Sequence, residues 1–121
     1  MTRFKRQSFV RRLGFAFRGV AEALRSEYSL RVQACVFLAV VFALLWLRPE
    51  PFWWALVLLA SAMVFAAELF NTAIEHLADH LHPNVHPNIR IVKDCAAAAV
   101  LIAVLGAGAV AIALAFHLLR R

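Results

Sequence analysis

The sequence predicts an all-α membrane protein, with one amphipathic surface helix followed by three transmembrane helices. Composition is the first reason. Of the 121 residues, 64% are hydrophobic and the mean hydropathy is +0.76, whereas a soluble domain is nearer half apolar. The second reason is where the excess lies. Residues 32–47 carry only Gln33 as a strongly polar side chain, and 52–67 carry only Ser61. Residues 95–119 contain no Asp, Glu, Lys or Arg. A span needs about 20 mostly apolar residues, so the first two runs must extend into polar flanks, while the third suffices alone. The third reason is charge. Arg3, Lys5, Arg6, Arg11, Arg12, Arg18, Arg25 and Arg31 against Glu22 and Glu27 account for the whole net charge of +6.

The surface helix is expected over residues 1–28. Phe9, Val10, Leu13, Phe17, Val20 and Leu24 recur at helical spacing, while Arg11, Arg18, Glu22 and Arg25 fall elsewhere on the wheel. A basic face opposite Phe and Leu suits a helix lying in the membrane interface. Arg11, Arg12 and Arg18 interrupt the apolar core that a secretory signal would need. Because this charge adjoins a hydrophobic span, it predicts a cytoplasmic N-terminal side by the positive-inside rule, and no nucleic-acid partner.

The first span is expected over 30–48, and Pro49 and Pro51 end it and start the next. Trp46, Trp53 and Trp54 flank that turn as interfacial anchors. The second span is expected over 52–80. A loop rich in Pro, Asn and His then leads to a third span over 92–119. Alanine recurs there at 99, 103, 107, 111 and 115, a spacing that lets helix backbones approach closely in lipid. Cys35 and Cys95 fall inside predicted spans and read as small apolar side chains. One domain over 1–121 is expected. Three thin helices bury little surface alone, so an oligomer is expected too.

The chemistry concentrates where the second span ends. Glu68, Asn71, Thr72, Glu75 and Asp79 are three or four residues apart and share one helix face. Carboxylates at the end of an apolar segment are costly to hold near a bilayer and therefore mark function. Two carboxylates can hold a hard divalent cation such as Mg²⁺, which completes its shell with water and phosphate oxygens. A third can take a proton from a hydroxyl nucleophile, and Lys93 can neutralise phosphate charge. Together these parts suggest phosphoryl transfer, with no Gly-rich phosphate loop of the GxxxxGK type. A small proton-coupled exporter is the alternative, since one membrane glutamate suits a proton carrier. It leaves Glu75, Asp79, Lys93 and Asp94 without a task. A purely structural subunit would leave the acidic stripe unexplained. His76 and His80, four apart, read as interfacial side chains rather than a metal pair, because Asp79 alone is near enough in sequence to help them.

Two blocks carry a resemblance. Glu68-Leu69-Phe70-Asn71-Thr72-Ala73-Ile74-Glu75 resembles the E-x-x-N-[ST]-A-[IL]-E signature of the bacterial integral-membrane diacylglycerol kinase and undecaprenol kinase family. Lys93-Asp94-Cys95-Ala96-Ala97-Ala98-Ala99-Val100 resembles its second signature, and Glu27 stands ahead of the first span as in the family. The resemblance runs from about residue 9 to residue 119. It implies a homotrimer of three-span subunits in the bacterial inner membrane, with active sites shared between subunits and facing the cytoplasm. It also implies transfer of the γ-phosphoryl group of ATP to the hydroxyl of a membrane lipid.

Carried over by position, Glu68 is the implied general base. Glu27 and Glu75 are the implied ligands of the Mg²⁺ that bridges ATP. Lys93 and Asp94 are implied to contact the nucleotide phosphates or order the site. Asn71 supports Glu68 or the lipid headgroup, and Asp79 and His86 match polar positions near the nucleotide. Diacylglycerol, giving phosphatidic acid, is the expected acceptor, with undecaprenol the alternative. Ala97 stands where some diacylglycerol-type members carry Ser, and Leu30-Arg31-Val32 resembles the undecaprenol type. The lipid pocket is expected beneath Glu68, bordered by Ala97 and Ala98.

Overall fold

The computed structural model describes residues 8–121. The expected start of the surface helix, with Arg3, Lys5 and Arg6, lies outside the described residues. Among the described residues four helices follow one another: α1 (Phe9–Ser26), α2 (Tyr28–Leu47), α3 (Pro51–Leu81) and α4 (Pro87–Leu119). No strand occurs among the described residues. The last three helices are long and apolar enough to cross a membrane.

Helix α1 opens on Ser8, whose hydroxyl accepts from the Arg11 amide at 3.4 Å and so satisfies one free donor of the first turn. Ala23 is its one buried residue. Phe9, Val10, Leu13, Phe17 and Val20 are exposed in the single chain, an apolar face of the kind that lies in a membrane interface.

A single extended residue, Glu27 (φ −112°, ψ 115°), separates α1 from α2. The sequence places this break two residues later, after residue 28. No Gly or Pro marks the position. The break is held by donors instead: the Glu27 amide donates to Ala23 O at 2.9 Å. Arg31 Nη1, one turn into α2, donates to Leu24 O at 3.1 Å and Arg25 O at 2.8 Å. A guanidinium thus covers the free carbonyls that end α1.

Helices α2 and α3 turn sharply through Arg48, Pro49 and Glu50. Arg48 takes the left-handed conformation (φ 49°, ψ 56°), and its amide closes α2 on Leu44 O at 2.9 Å. Pro51 occupies the first turn of α3, where a missing amide hydrogen costs nothing. This turn is tied to the far end of α4. The His117 ring stacks on Trp53 with centroids 5.2 Å apart, and its Nε2 donates to Glu50 Oε2 at 2.8 Å. Arg121 Nη2 donates to Leu47 O at 2.7 Å.

Helices α3 and α4 form the main hairpin and pack along their length. Helix α4 begins at Pro87, five residues before the expected 92. The reason is local: the His86 ring caps the helix by accepting from the Asn88 amide at 3.1 Å, and Pro87 suits the first turn. The loop shrinks accordingly to residues 82–86.

The packed face of α4 also differs from the alanine stripe. It runs through Ile89, Lys93, Ala96, Val100, Ala103, Ala107, Val110, Leu114 and His117, at alternating steps of three and four. That is the seam of a left-handed helix pair. Of the alanine stripe, Ala103 and Ala107 lie on this seam, whereas Ala99, Ala111 and Ala115 are exposed in the single chain.

Helix α2 leans on α3 and makes no comparable contact with α4. Leu30 and Leu44 are its fully buried residues, and Phe37 meets Phe65 edge to face at 5.7 Å. Between α2 and the hairpin lies a cleft of 410 Å³, lined in part by Phe37, Leu44, Ser61, Val64, Ala107 and Leu114.

Candidate functional site

The inward face of α3 passes from apolar to polar without a change of direction. Val57 and Val64 are buried, and so are Glu68, Thr72 and Ala78 further along. The periodicity that seats valines against α2 and α4 in the first half therefore seats a carboxylate and a hydroxyl in the second. Glu68 is 4% exposed. Its Oε2 accepts from Ser29 Oγ, in the first turn of α2, at 3.3 Å. Asn71 is half-buried on the same stretch, and its Oδ1 has no donor among the described residues.

The break between α1 and α2 delivers two groups onto this stripe. Ser29 reaches Glu68, and Glu27 lies with Oε1 at 3.8 Å from His76 Nε2, an ion pair when that ring is protonated. His76 directly follows Glu75, which is half-buried. Glu27 thereby touches the turn of α3 that also carries Glu75. His76 lies beside Glu27, and both His76 and His80 are exposed.

Beyond them, Lys93 Nζ pairs with Asp79 Oδ1 at 2.5 Å, joining the end of α3 to the start of α4. Asp94 Oδ2 lies 3.8 Å from Arg90 Nε, one helical turn earlier. Both pairs are solvent-accessible, with Asp79 at 64% and Asp94 at 72% side-chain exposure. Exposed pairs contribute about 0–1 kcal/mol, so an incoming anion can displace either carboxylate from its partner. His86 serves as the cap of α4, which commits Nδ1 as an acceptor and leaves Nε2 to carry the hydrogen.

Ala97 and Ala98 are exposed, and the cleft between α2 and the hairpin is bordered by Val104, Ala107 and Gly108 instead. Its lining includes Val64 and Phe65, one turn before Glu68. Sequence reasoning passed over Ser29 and Arg90. Ser29 carried one readable signal, a hydroxyl two residues after Glu27 at the start of a span.

The site's donor set can be tested against a divalent cation. No group of three His, Cys, Asp or Glu side chains forms a ready cage among the described residues. Glu27 and Glu75 supply hard oxygen donors from neighbouring elements. Mg²⁺ takes one or two carboxylates and completes its shell with water and phosphate, so the pair fits a metal that arrives with a nucleotide.

Comparison with known proteins gives the family. The family model described as prokaryotic diacylglycerol kinase matches residues 14–115. That stretch includes the α1–α2 break, the acidic stripe and the opening of α4. A protein of Synechocystis sp. named diacylglycerol kinase is 35% identical over 94 residues, covering 77% of this chain. The chain spans about half, 54%, of that relative's length.

Proposed function

From the premise that this chain belongs to the prokaryotic diacylglycerol kinase family, we propose that it is a lipid kinase. It transfers the γ-phosphoryl group of ATP to the hydroxyl of diacylglycerol, giving phosphatidic acid. The observation that carries the reading is Glu68: a buried carboxylate at the end of an apolar span, with one oxygen held by Ser29. A soluble nucleophile would not require a base at that depth, whereas a lipid hydroxyl confined to the membrane does.

The residues divide the work. Glu68 takes the hydroxyl proton as the acceptor oxygen attacks, a contribution of about 10²–10⁴-fold for a positioned base. Asn71 Oδ1, lacking a donor among the described residues, receives a hydrogen bond from the lipid headgroup. Glu27 and Glu75 hold the Mg²⁺ of the nucleotide. Bound there, the cation neutralises phosphate charge and orients the group in transfer. Lys93 leaves Asp79 for the phosphates, and Asp94 and His86 border the nucleotide. The single domain lies in the bacterial inner membrane with α1 and the site on the cytoplasmic side, as the charge of α1 favours. Three copies share their sites, and the open cleft beside α2 leaves room for a neighbouring helix.

Undecaprenol is the second reading, and one observation favours it: residues 95–100 present no hydroxyl to bind the ester carbonyls of diacylglycerol. Discrimination between the two lipids is therefore modest. Purified protein in mixed micelles, given labelled ATP and each lipid in turn, tests both readings. Phosphatidic acid should form, with undecaprenol competing, and Ala97→Ser should shift the kcat/KM ratio toward diacylglycerol. Exclusive use of undecaprenol would select the second reading, and transfer to neither lipid would sink the kinase.

A further inference from the structure

We propose that Ser29 is a positioning residue for Glu68, a hydroxyl on α2 that fixes which carboxylate oxygen faces the acceptor lipid. The inference rests on the reading of Glu68 as the general base. It goes beyond that reading by assigning a task to a residue outside both signature blocks.

The geometry is specific. Ser29 Oγ lies 3.3 Å from Glu68 Oε2 and donates to it. This is the one side-chain hydrogen bond that Glu68 makes among the described residues. A glutamate has three rotatable side-chain torsions, and a base that samples several rotamers spends little time aligned with its substrate. Holding Oε2 leaves Oε1 as the oxygen that meets the lipid hydroxyl. Misplacement of a reacting group by about 1 Å can cost about 10²-fold, so one fixed oxygen matters more to the rate than to the fold.

Ser29 is exposed in the single chain, and its neighbours fix the turn it stands on. Leu30 beside it is 1% exposed. Arg31 ties the same turn back to α1 through Leu24 O and Arg25 O. The Ser29 hydroxyl thus stands on a rigid turn, which a positioning group needs. Because that turn also carries Glu27, the α1–α2 break sets the positioning hydroxyl and the proposed metal ligand together against α3.

The test compares Ser29→Ala, Ser29→Thr and Glu68→Gln in full-length protein, with steady-state kinetics for lipid and ATP and thermal melting. Ser29→Ala should lower kcat about tenfold or more, the scale of one hydrogen bond to a charged group. The KM values for lipid and ATP and the melting temperature should hold. Ser29→Thr keeps the hydroxyl and should recover most of the loss. A loss that appears in the lipid KM, or that Thr fails to recover, overturns the positioning role. So does an unchanged kcat in Ser29→Ala while Glu68→Gln is inactive. If Glu68→Gln itself retains near-normal turnover, the failure lies with the base assignment, and the proposal falls with it.

Discussion

At the scale of single residues, the acidic stripe divides into buried and exposed members, and the division follows the tasks proposed for them. Glu68 is enclosed and held by Ser29, whereas Asp79 and Asp94 pair with cations at the solvent edge. Glu27 and Glu75 lie between these extremes, each half-buried, as suits ligands that must open to a nucleotide. Glu27→Gln and Glu75→Gln should each raise the Mg²⁺ concentration needed for half-maximal activity, and added Mg²⁺ should partly restore the rate. Titrating Mg²⁺ at fixed ATP checks this, and an unmoved midpoint in both would put the ligands elsewhere. The five polar positions of α3 were legible because helical spacing alone puts them on one face. The pairing of Glu27 with His76 was not, because it depends on where α1 breaks, and no Gly or Pro announces that point. Ser29 escaped for the same reason. A serine is ordinary until the partner 39 residues away is known.

Among the elements, the two turns are built differently, and that explains which was predicted well. Pro49 and Pro51 bracket the α2–α3 turn in the sequence itself. The start of α4 was placed five residues late, because its proline and histidine read as loop residues until the cap formed by His86 is seen. The same contrast separates the two faces of α4. Ala107 lies on the seam against α3, so Ala107→Leu should overpack it and lower the melting temperature, at about 1–3 kcal/mol for added methylenes. Ala115 is exposed in the single chain, so Ala115→Leu should spare the fold and change the oligomer distribution on crosslinking. Identical behaviour of the two variants would mean that the seam is not the one described.

The α2–α3 turn also carries a pH dependence. The Glu50 carboxyl is held below the usual 4.5 first by a backbone hydrogen bond and then by the His117 ring. A carboxyl lowered on folding adds stability above its unfolded value, and that stability is lost as pH falls through the folded one. Melting scans from about pH 7 to pH 3 should show an acid-sensitive component in the native protein that shrinks in Glu50→Gln.

For the molecule as a whole, the length of α3 has a consequence for how lipid surroundings govern rate. Its 31 residues span about 46 Å at about 1.5 Å each, against a hydrocarbon layer of about 30 Å. Glu68 lies 17 residues beyond Pro51, or about 26 Å along the axis, so a helix with Pro51 at one hydrocarbon boundary carries Glu68 just inside the other. Asp79 and Lys93 stand about 16 Å further out, in water. The helix therefore acts as a depth gauge, and acceptor hydroxyl and base coincide at one bilayer thickness. Shorter acyl chains lower the hydroxyl layer below the carboxylate, and longer ones submerge the carboxylate in hydrocarbon. Tilting relieves such mismatch only in part. In bilayers of one headgroup and graded chain length, turnover should peak near a hydrocarbon thickness of about 30 Å and decline on both sides. A flat profile would mean that the substrate, rather than the protein, adjusts its depth.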